Sequence, residues 1–353
     1  DLFLPCNSPA SACQRCESKV KTLVTGGTGF IGLHVVKRLL SRGRALRLLL
    51  QPSESTEVVA GLDVEIVRGD ITDLAAVREA VKGCERVFHL AALYKIWHPD
   101  PGAIYRVNLE GSRNVLWACR RANVERVVYT SSIAALGVSP GQALACETTP
   151  FNQWDAANPY IFSKYLSEQE ALGFAREGLP LILVNPTFPF GAGDRAPTPT
   201  GKLLINLLKG MTPGVPEGGF NSVPVDSVAE GHLLAEEKGQ PGERYILGGE
   251  NLSYRRFAEL VAEISGQKIP LWQAPYPAML AFGAAAEWIA DHLTHREPPA
   301  TVRAVQYTHN YLYFSLEKSK RELGYAPGST REALAQAIAW FQSQNYLSPA
   351  KKT

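Results

Sequence analysis

Short apolar runs alternate with amphipathic stretches through the first half of this chain. The apolar runs occupy 22–25, 46–50, 64–67, 87–90, 126–130 and 181–185. Each is about the length of a buried strand, and the segments between them carry apolar residues at helical spacing. Such alternation predicts a parallel sheet with helices on both faces. The second half changes character. Prolines and glycines crowd 186–219, helical patterns follow, and one late apolar run returns at 244–247. The expected fold class is therefore α/β: a Rossmann-type doubly wound parallel sheet with a smaller C-terminal substrate-binding lobe. Residues 20–190 would form the dinucleotide-binding part, with 244–247 returning to its sheet. Residues 191–220 and 250–345 would build the lobe, 1–19 a flexible or processed extension, and 346–353 a tail. No internal repeat or low-complexity segment is visible.

The first apolar run leads into VTGGTGFIG and then into IGLHVVKRLLSRG, a helical pattern over about 30–42. Gly27, Gly29 and Gly32 fit GxGxxG, and Gly26, Gly29 and Gly32 fit GxxGxxG. Both spacings suit a tight turn, a close backbone approach to a pyrophosphate, and close helix–strand packing. The helix would aim its free N–H groups and the positive end of its dipole at the phosphates. Gly26, Gly27, Thr28, Gly29, Phe30 and Ile31 are the expected contacts. The alternative is a plain strand–turn–helix with tight packing.

A second pattern makes the first specific. NPYIFSK sets Tyr160 four residues before Lys164, on one helix face. Asn158 and Pro159 read as an N-cap and first-turn proline. An ammonium beside a phenol favours the phenolate and lowers the tyrosine pKa. A tyrosine tuned in this way exchanges a proton with a substrate oxygen while hydride moves at the carbon. The competing reading is a solvated pair on a surface helix. Upstream, Ser131 and Ser132 follow the run ERVVYT. A hydroxyl at the C-terminal end of such a strand faces the ligand crevice, although serines there are also ordinary turn residues.

With these residues in place, the chain resembles the extended short-chain dehydrogenase/reductase family (NAD-dependent epimerase/dehydratase). The matching segments are TGGTGFIG, GDITD, HLAA, VNLEGSRN, YTSS, YIFSK and NPT, in the family's order and spacing, over nearly all of 20–345. The second half is most similar to the hopanoid-associated sugar epimerase group and to the dihydroflavonol 4-reductases. The segments that carry this are ALYKIWHPDP, APTPTGK and GERYILGGENLS.

The resemblance implies an enzyme of hydride transfer at a carbonyl/alcohol carbon. Ser132 would orient the substrate oxygen, Tyr160 would act as acid or base, and Lys164 would hold the nicotinamide ribose. Asn108 would support the site through a hydrogen bond. Asp70 would bond the adenine with Ile71 packed beside the ring, or else cap the following helix. Ala91 and Ala92 would let the cofactor lie close, and Pro186 and Thr187 would flank the nicotinamide. A reductase and an epimerase share this machinery. The rival of another class is a non-catalytic redox sensor or scaffold that only binds dinucleotide, and the intact Ser132, Tyr160 and Lys164 set argues against it.

Cofactor choice turns on the end of the second strand. An acid there binds the ribose 2′-hydroxyl of NAD, and an arginine accepts the 2′-phosphate of NADP. Here Gln51 stands at that place, and the balance leans to NADP over NAD. For the substrate, many nucleotide-sugar enzymes of the family carry an arginine and a histidine just before the segment that reads VPVDSVA. Phe220 and Pro224 stand at those places, which weakens the case for a nucleoside-diphosphate sugar. Asp226 then reads as a helix N-cap. Tyr94, Ile96 and Trp97 offer an aromatic and apolar wall for a carbonyl compound or a sugar face, or ordinary lobe packing. His98 reads as a loop residue.

Composition narrows the partners. With 353 residues, 45% hydrophobic, the chain can bury a large core. Its net charge is +2, and no basic patch with interleaved aromatics suggests nucleic acid. The six cysteines are irregularly spaced, and one CxxC at Cys13 and Cys16 has no second pair to complete a metal site. Cys84, Cys119 and Cys146 read as core or loop thiols, in keeping with a reducing, cytoplasmic setting. The first residues lack a signal-peptide pattern. The stretch 277–293, PAMLAFGAAAEWIADHL, is short for a membrane span. It reads as an amphipathic helix over the substrate lobe, with peripheral membrane contact as the alternative. The expected partners are a small-molecule carbonyl or sugar substrate and a second copy of the chain in a homodimer.

Overall fold

The computed structural model describes residues 21–212 and 214–347. The 1–19 extension, its CxxC and most of the 346–353 tail lie outside them. Two β-sheets organise the chain, seven strands in one and four in the other.

The large sheet begins with β1 (Lys21–Thr25), followed by α1 (Phe30–Ser41), β2 (Ala45–Leu50), β3 (Val64–Arg68), α2 (Leu74–Val81) and β4 (Arg86–His89). A continuous helical stretch comes next: α3 (Pro101–Tyr105), a π-helical turn over Arg106–Gly111, and α4 (Ser112–Arg121). Then come β5 (Arg126–Thr130), α5 (Pro159–Arg176) and β6 (Leu181–Pro186). The strand order is β3-β2-β1-β4-β5-β6-β9, all parallel, where β9 is the late strand Arg244–Leu247. The chain reverses its direction of winding between β1 and β4, so a crevice opens there at the C-terminal strand ends. Each strand predicted from the sequence is present to within a residue or two.

Burial explains why these runs become strands. β2 and β6 are covered on both faces, so they read as unbroken apolar runs. One face packs Val24, Leu48, Val128 and Val184 with α1 and α7 (Val225–Lys238). The other packs Leu23, Leu49, Val127 and Leu183 with α2, α4 and α5.

The second sheet was not legible as strands. It comprises β7 (Phe188–Phe190), β8 (Gly219–Pro224), β10 (Glu250–Ser253) and β11 (Tyr311–Leu312). β10 runs antiparallel along one edge of β8, while β7 and β11 pair with opposite ends of the other edge. β8 is buried throughout yet carries Asn221 and Ser222, which breaks any apolar pattern. Asn221 is accommodated because its amide donates to Gly249 O and Asn251 Oδ1 and accepts from Gly249 N.

Around this sheet stand α6 (Pro199–Leu208), α8 (Tyr254–Ser265), α9 (Tyr276–Ile289), α10 (Val302–Thr308) and α12 (Thr330–Ser343). Their core centres on Phe190, Phe220, Tyr254 and Phe257. Phe220, at the place read from the sequence as lacking the arginine of nucleotide-sugar enzymes, is fully buried there. α11 (Glu317–Leu323) was expected in the lobe but packs against α7 and β9 of the large sheet. The lobe and the large sheet are thus interleaved along the sequence.

Candidate active site

The residues expected to bind a dinucleotide gather at the C-terminal edge of the large sheet. β1 ends in the glycine turn, β2 in Gln51, β3 leads to Asp70, β4 to Ala91 and Ala92, β5 to Ser131 and Ser132, and β6 closes with Pro186 before Thr187.

The three glycines have different reasons to be glycine. Gly26 has φ +71°, and a Cβ on it would lie 2.7 Å from Ala91 N, across the crevice. A Cβ on Gly32 would lie 1.9 Å from Gly26 O. Both are demanded by packing within the chain. Gly29 differs: a Cβ there meets only Gly26 O, at 3.3 Å. Gly29 also caps α1 without any side-chain hydrogen bond, so no capping side chain meets the first-turn N–H groups. An uncapped helix start beside a glycine with little packing reason fits a pyrophosphate. At the far end of the crevice, the Ser131 and Thr187 hydroxyls are buried without a protein partner. The residues present therefore fit a bound dinucleotide.

Where the sequence places the adenosine, Gln51 Nε2 donates to Asp70 Oδ2 at 3.0 Å, which joins two residues singled out separately in the sequence. Asp70 Oδ1 also accepts from Thr72 N and Thr72 Oγ1, whereas α2 is capped by Asp73. The capping alternative for Asp70 is thereby excluded. Ile71 packs beneath, against the position of Gly111. Sequence reasoning missed two neighbours. Glu54 accepts from Thr28 Oγ1 and, at 3.1 Å, from Gln51 N. Arg68 donates to the carbonyls of Gln51 and Glu54 at 2.9 and 2.7 Å. Glu54 lies three residues beyond the strand end, in a loop whose course the sequence does not reveal.

The catalytic candidates come from β5 and α5. Asn158 caps α5 by accepting from Ile161 N at 2.9 Å, and Pro159 occupies its first turn, as predicted. This fixes Tyr160 at the very start of the helix, one turn before Lys164. Tyr160 is half-buried at the cavity floor and Lys164 is buried, with Lys164 Nζ donating to Thr130 O at 2.8 Å. Ser132 Oγ accepts from Ala134 N at 3.1 Å, and the Ser132 carbonyl accepts from Asn185 Nδ2 at 2.9 Å. Asn108 Oδ1 accepts from Leu93 N at 2.7 Å, while its Nδ2 donates to Leu93 O and to Ser163 Oγ. It pins the segment carrying Ala91, Ala92 and Tyr94 to α5 at Ser163, the residue before Lys164. The π-helical turn of Arg106–Gly111 surrounds Asn108.

Electrostatics corrects one expectation. Tyr160 is not lowered. Burial pushes its phenol up to about 12, and the neighbouring Ser132 side chain pulls the other way. Burial also lowers Lys164 to about 8, with Glu168 opposing. Desolvation of both groups outweighs the attraction expected from their spacing. Beneath them, His89 bridges Thr25 Oγ1 and Ser112 Oγ, and burial lowers it to about 3, so it stays neutral.

Two other expectations change. Asp226 does not cap α7. Pro224 is the cap residue, and Asp226 stands in the first turn, facing His34 Nδ1 at 2.9 Å. Trp97 turns away from Tyr160. Its indole faces Asp291 at 3.4 Å and lines a separate depression with His98. Tyr94 does meet the site: its ring lies 4.6 Å from that of Tyr160, centroid to centroid.

Above Ser132 and Tyr160 opens a cavity of about 570 Å³, roofed by the lobe. Phe188, Leu203, Tyr254, Met279, Phe282 and Tyr307 contribute walls. Among the described residues lining it there is no Asp, Glu, Lys, Arg or His. Among the described residues, no cluster suited to a metal ion is present.

Comparison with known proteins agrees with this geometry. The model of the NAD dependent epimerase/dehydratase family matches residues 22–248. A dihydroflavonol 4-reductase-like protein of Synechocystis sp. is 37% identical over 92% of this chain and 95% of its own length. Sterol demethylase protein B of Methylococcus capsulatus is 32% identical over 92% and 99%. The crystal structure of gox2253 superposes with a TM-score of 0.83 at 41% identity, covering 93% of this chain and 100% of that one. A glycine turn fitted to a pyrophosphate, an intact Ser–Tyr–Lys set and these matches lead to one conclusion: the chain is an enzyme of the NAD-dependent epimerase/dehydratase family, of the extended short-chain dehydrogenase/reductase type.

Proposed function

We propose that the protein is a carbonyl reductase, reversible as an alcohol dehydrogenase, acting on an uncharged lipophilic substrate. The observation that carries this is the uncharged, largely apolar cavity against Ser132 and Tyr160. A nucleoside diphosphate brings at least two negative charges, and burying them without a cationic partner is costly. A ring system or chain with one reacting carbonyl meets no such cost and gains from apolar burial. The names of the relatives, a dihydroflavonol reductase-like protein and a sterol demethylase component, are of a kind with such substrates.

In this reading the Ser132 and Tyr160 hydroxyls both point at the substrate oxygen. Bound in the crevice, the reduced dinucleotide supplies the hydride. As the carbonyl carbon is reduced, Tyr160 would pass its proton to the oxygen, which stays on that carbon as the alcohol hydroxyl. A phenol held near 12 keeps that proton through the ordinary pH range, which suits the acid role. Lys164 orients the nicotinamide ribose and offsets the phenolate left behind. Asn108 positions the strand-end loop against α5.

For the cofactor, Gln51 provides no charge, and Glu54 and Arg68 flank it with opposite charges. This balance favours acceptance of both NAD(H) and NADP(H). Glu54→Gln, by removing the carboxylate that repels a 2′-phosphate, shifts the ratio of dissociation constants toward NADPH, and Gln51→Arg shifts it further.

The deciding assay presents purified protein and reduced cofactor with a lipophilic ketone or with a nucleoside-diphosphate sugar. Stoichiometric cofactor oxidation with the ketone alone is expected. Epimerisation of the sugar nucleotide with cofactor retained would overturn the reading.

A further inference from the structure

Helix α9 is built the wrong way round for a surface helix. Its inward stripe is Gly283 and Ala286, continued by Ala290 beyond its end, all small. Gly283 sits so close to Thr301 that a Cβ would lie 3.1 Å from its carbonyl carbon. The large apolar side chains point out. Phe282, Trp288 and Leu293 are 58%, 55% and 65% exposed, and Ile289 lies beside them. Ordinary surface helices show the reverse arrangement. Trp272 and Met211 extend the exposed apolar surface from neighbouring loops.

This surface is continuous with the substrate cavity. Phe282 and Trp272 are more than half exposed and also line the cavity that ends at Tyr160. Met279 and Ala278, on the same helix, line it as well. An apolar path therefore runs from Tyr160 out to the lip formed by α9.

The charges around the lip identify what it meets. Its acidic residues are mostly engaged within the fold: Glu287 accepts from Val302 N, Asp291 from Trp97, and Glu297 pairs with Lys202. Glu217 is the exception, exposed beside Pro216 of the cavity wall. Lys209, Lys268 and Arg296 stand in no ion pair among the described residues. Lys209 lies two residues before Met211, Lys268 four before Trp272, and Arg296 three after Leu293. Tryptophans amid basic residues around an apolar patch match the chemistry of a bilayer interface with anionic headgroups.

We propose that the α9 lip docks on the surface of an anionic lipid bilayer, with Phe282, Trp288, Ile289 and Leu293 inserted among the acyl chains near the headgroups, so that a lipophilic substrate passes from the bilayer through the Phe282–Trp272 mouth to Tyr160. The route for substrate rests on the carbonyl-reductase reading; the docking itself does not. No described helix is long and apolar enough to span a membrane, and the docking proposed is of the lip on one side of the bilayer.

The test uses the full chain and vesicles of phosphatidylcholine with or without phosphatidylglycerol. Wild-type protein floats with the anionic vesicles, and rising salt weakens that binding. Trp288→Glu, Ile289→Glu and Leu293→Glu combined, none of them lining the cavity, reduce the bound fraction at least about tenfold by placing charge in the apolar layer. Lys209→Glu and Lys268→Glu each weaken binding to anionic vesicles by about fivefold. The triple variant reduces a short water-soluble ketone at the wild-type rate, and loses turnover of a lipophilic ketone only when that ketone is delivered in vesicles. Wild-type protein that does not float, or a triple variant that floats equally, overturns the proposal. So does a wild-type dimer that the triple variant converts to monomer without any lipid binding, since a second copy then covers the face. Flotation without reduction of any ketone supports docking and defeats the carbonyl-reductase reading instead.

Discussion

Tyr160 and Lys164 show what spacing reveals and what burial changes. Their offset predicts a shared helix face, and Asn158 and Pro159 place them at its start. The sequence does not show that both are desolvated, which reverses the expected direction for Tyr160. Tyr160→Phe is expected to leave dinucleotide affinity nearly intact while lowering turnover at least about a hundredfold, the scale of a lost general acid. Single-turnover hydride transfer and cofactor titration of the variant measure both; unchanged turnover would remove Tyr160 from the chemistry. Lys164 carries a pH signature in the free protein. Its folded pKa, about 8, lies below the ordinary 10.5, so between these values the unfolded chain holds a proton that the folded chain has lost. Stability contributed by this group therefore rises with pH across about 8 to 10.5, by about 3 kcal/mol in total, and is absent below 8. Urea unfolding from pH 7 to 10 should show wild type gaining on Lys164→Met. Parallel pH profiles would mean that Lys164 is not desolvated.

At the scale of elements, legibility followed the source of each signal. The strands of the large sheet were readable because they are buried on both faces and bounded by turn residues. The late strand Arg244–Leu247 was readable for the same reason, although its place beside β6 depends on long-range pairing. The small sheet was not readable. β8 buries two polar residues, β7 has three residues and β11 two, and all of them depend on partners distant in sequence. The glycine turn was legible as a motif, but the division of labour among its glycines was not. That division gives a paired prediction. Gly32→Ala forces a Cβ into Gly26 O and destabilises the fold by about 2 kcal/mol or more. Gly29→Val meets little protein, so the fold survives, but its side chain occupies the space a pyrophosphate needs, and dinucleotide binding is lost. Thermal unfolding separates the two, and added cofactor raises the melting temperature of wild type but not of Gly29→Val. Retained affinity in Gly29→Val would reduce the turn to packing alone.

The whole molecule places two kinds of surface on either side of one reacting position. Below it, the sheet crest offers backbone N–H groups, hydroxyls and a lysine for a charged dinucleotide. Above it, the lobe offers aromatic and aliphatic walls. The two are not separable along the chain, because β9, α7 and α11 return to the large sheet after the lobe has begun. Ile96, named from the sequence as part of an apolar wall, does line the upper half, but most of its chemistry came from residues scattered over Phe188, Leu203, Trp272, Phe282 and Tyr307, whose convergence no local pattern announces. Their separation from the lower half can be tested by a single charge. Leu203 lines the cavity from α6 and belongs to the lobe core's margin. Leu203→Glu sets an unpaired carboxylate on the apolar wall, which disfavours a lipophilic substrate by about ten- to a hundredfold in KM. With the dinucleotide held, as proposed, against the crest and not the lobe, its dissociation constant should stay within about twofold of wild type, a difference well below 1 kcal/mol. Steady-state kinetics with a lipophilic ketone, alongside cofactor titration, reads both quantities. Equal loss of cofactor affinity would mean that the two surfaces are coupled. An unchanged KM would mean that the substrate does not occupy this cavity.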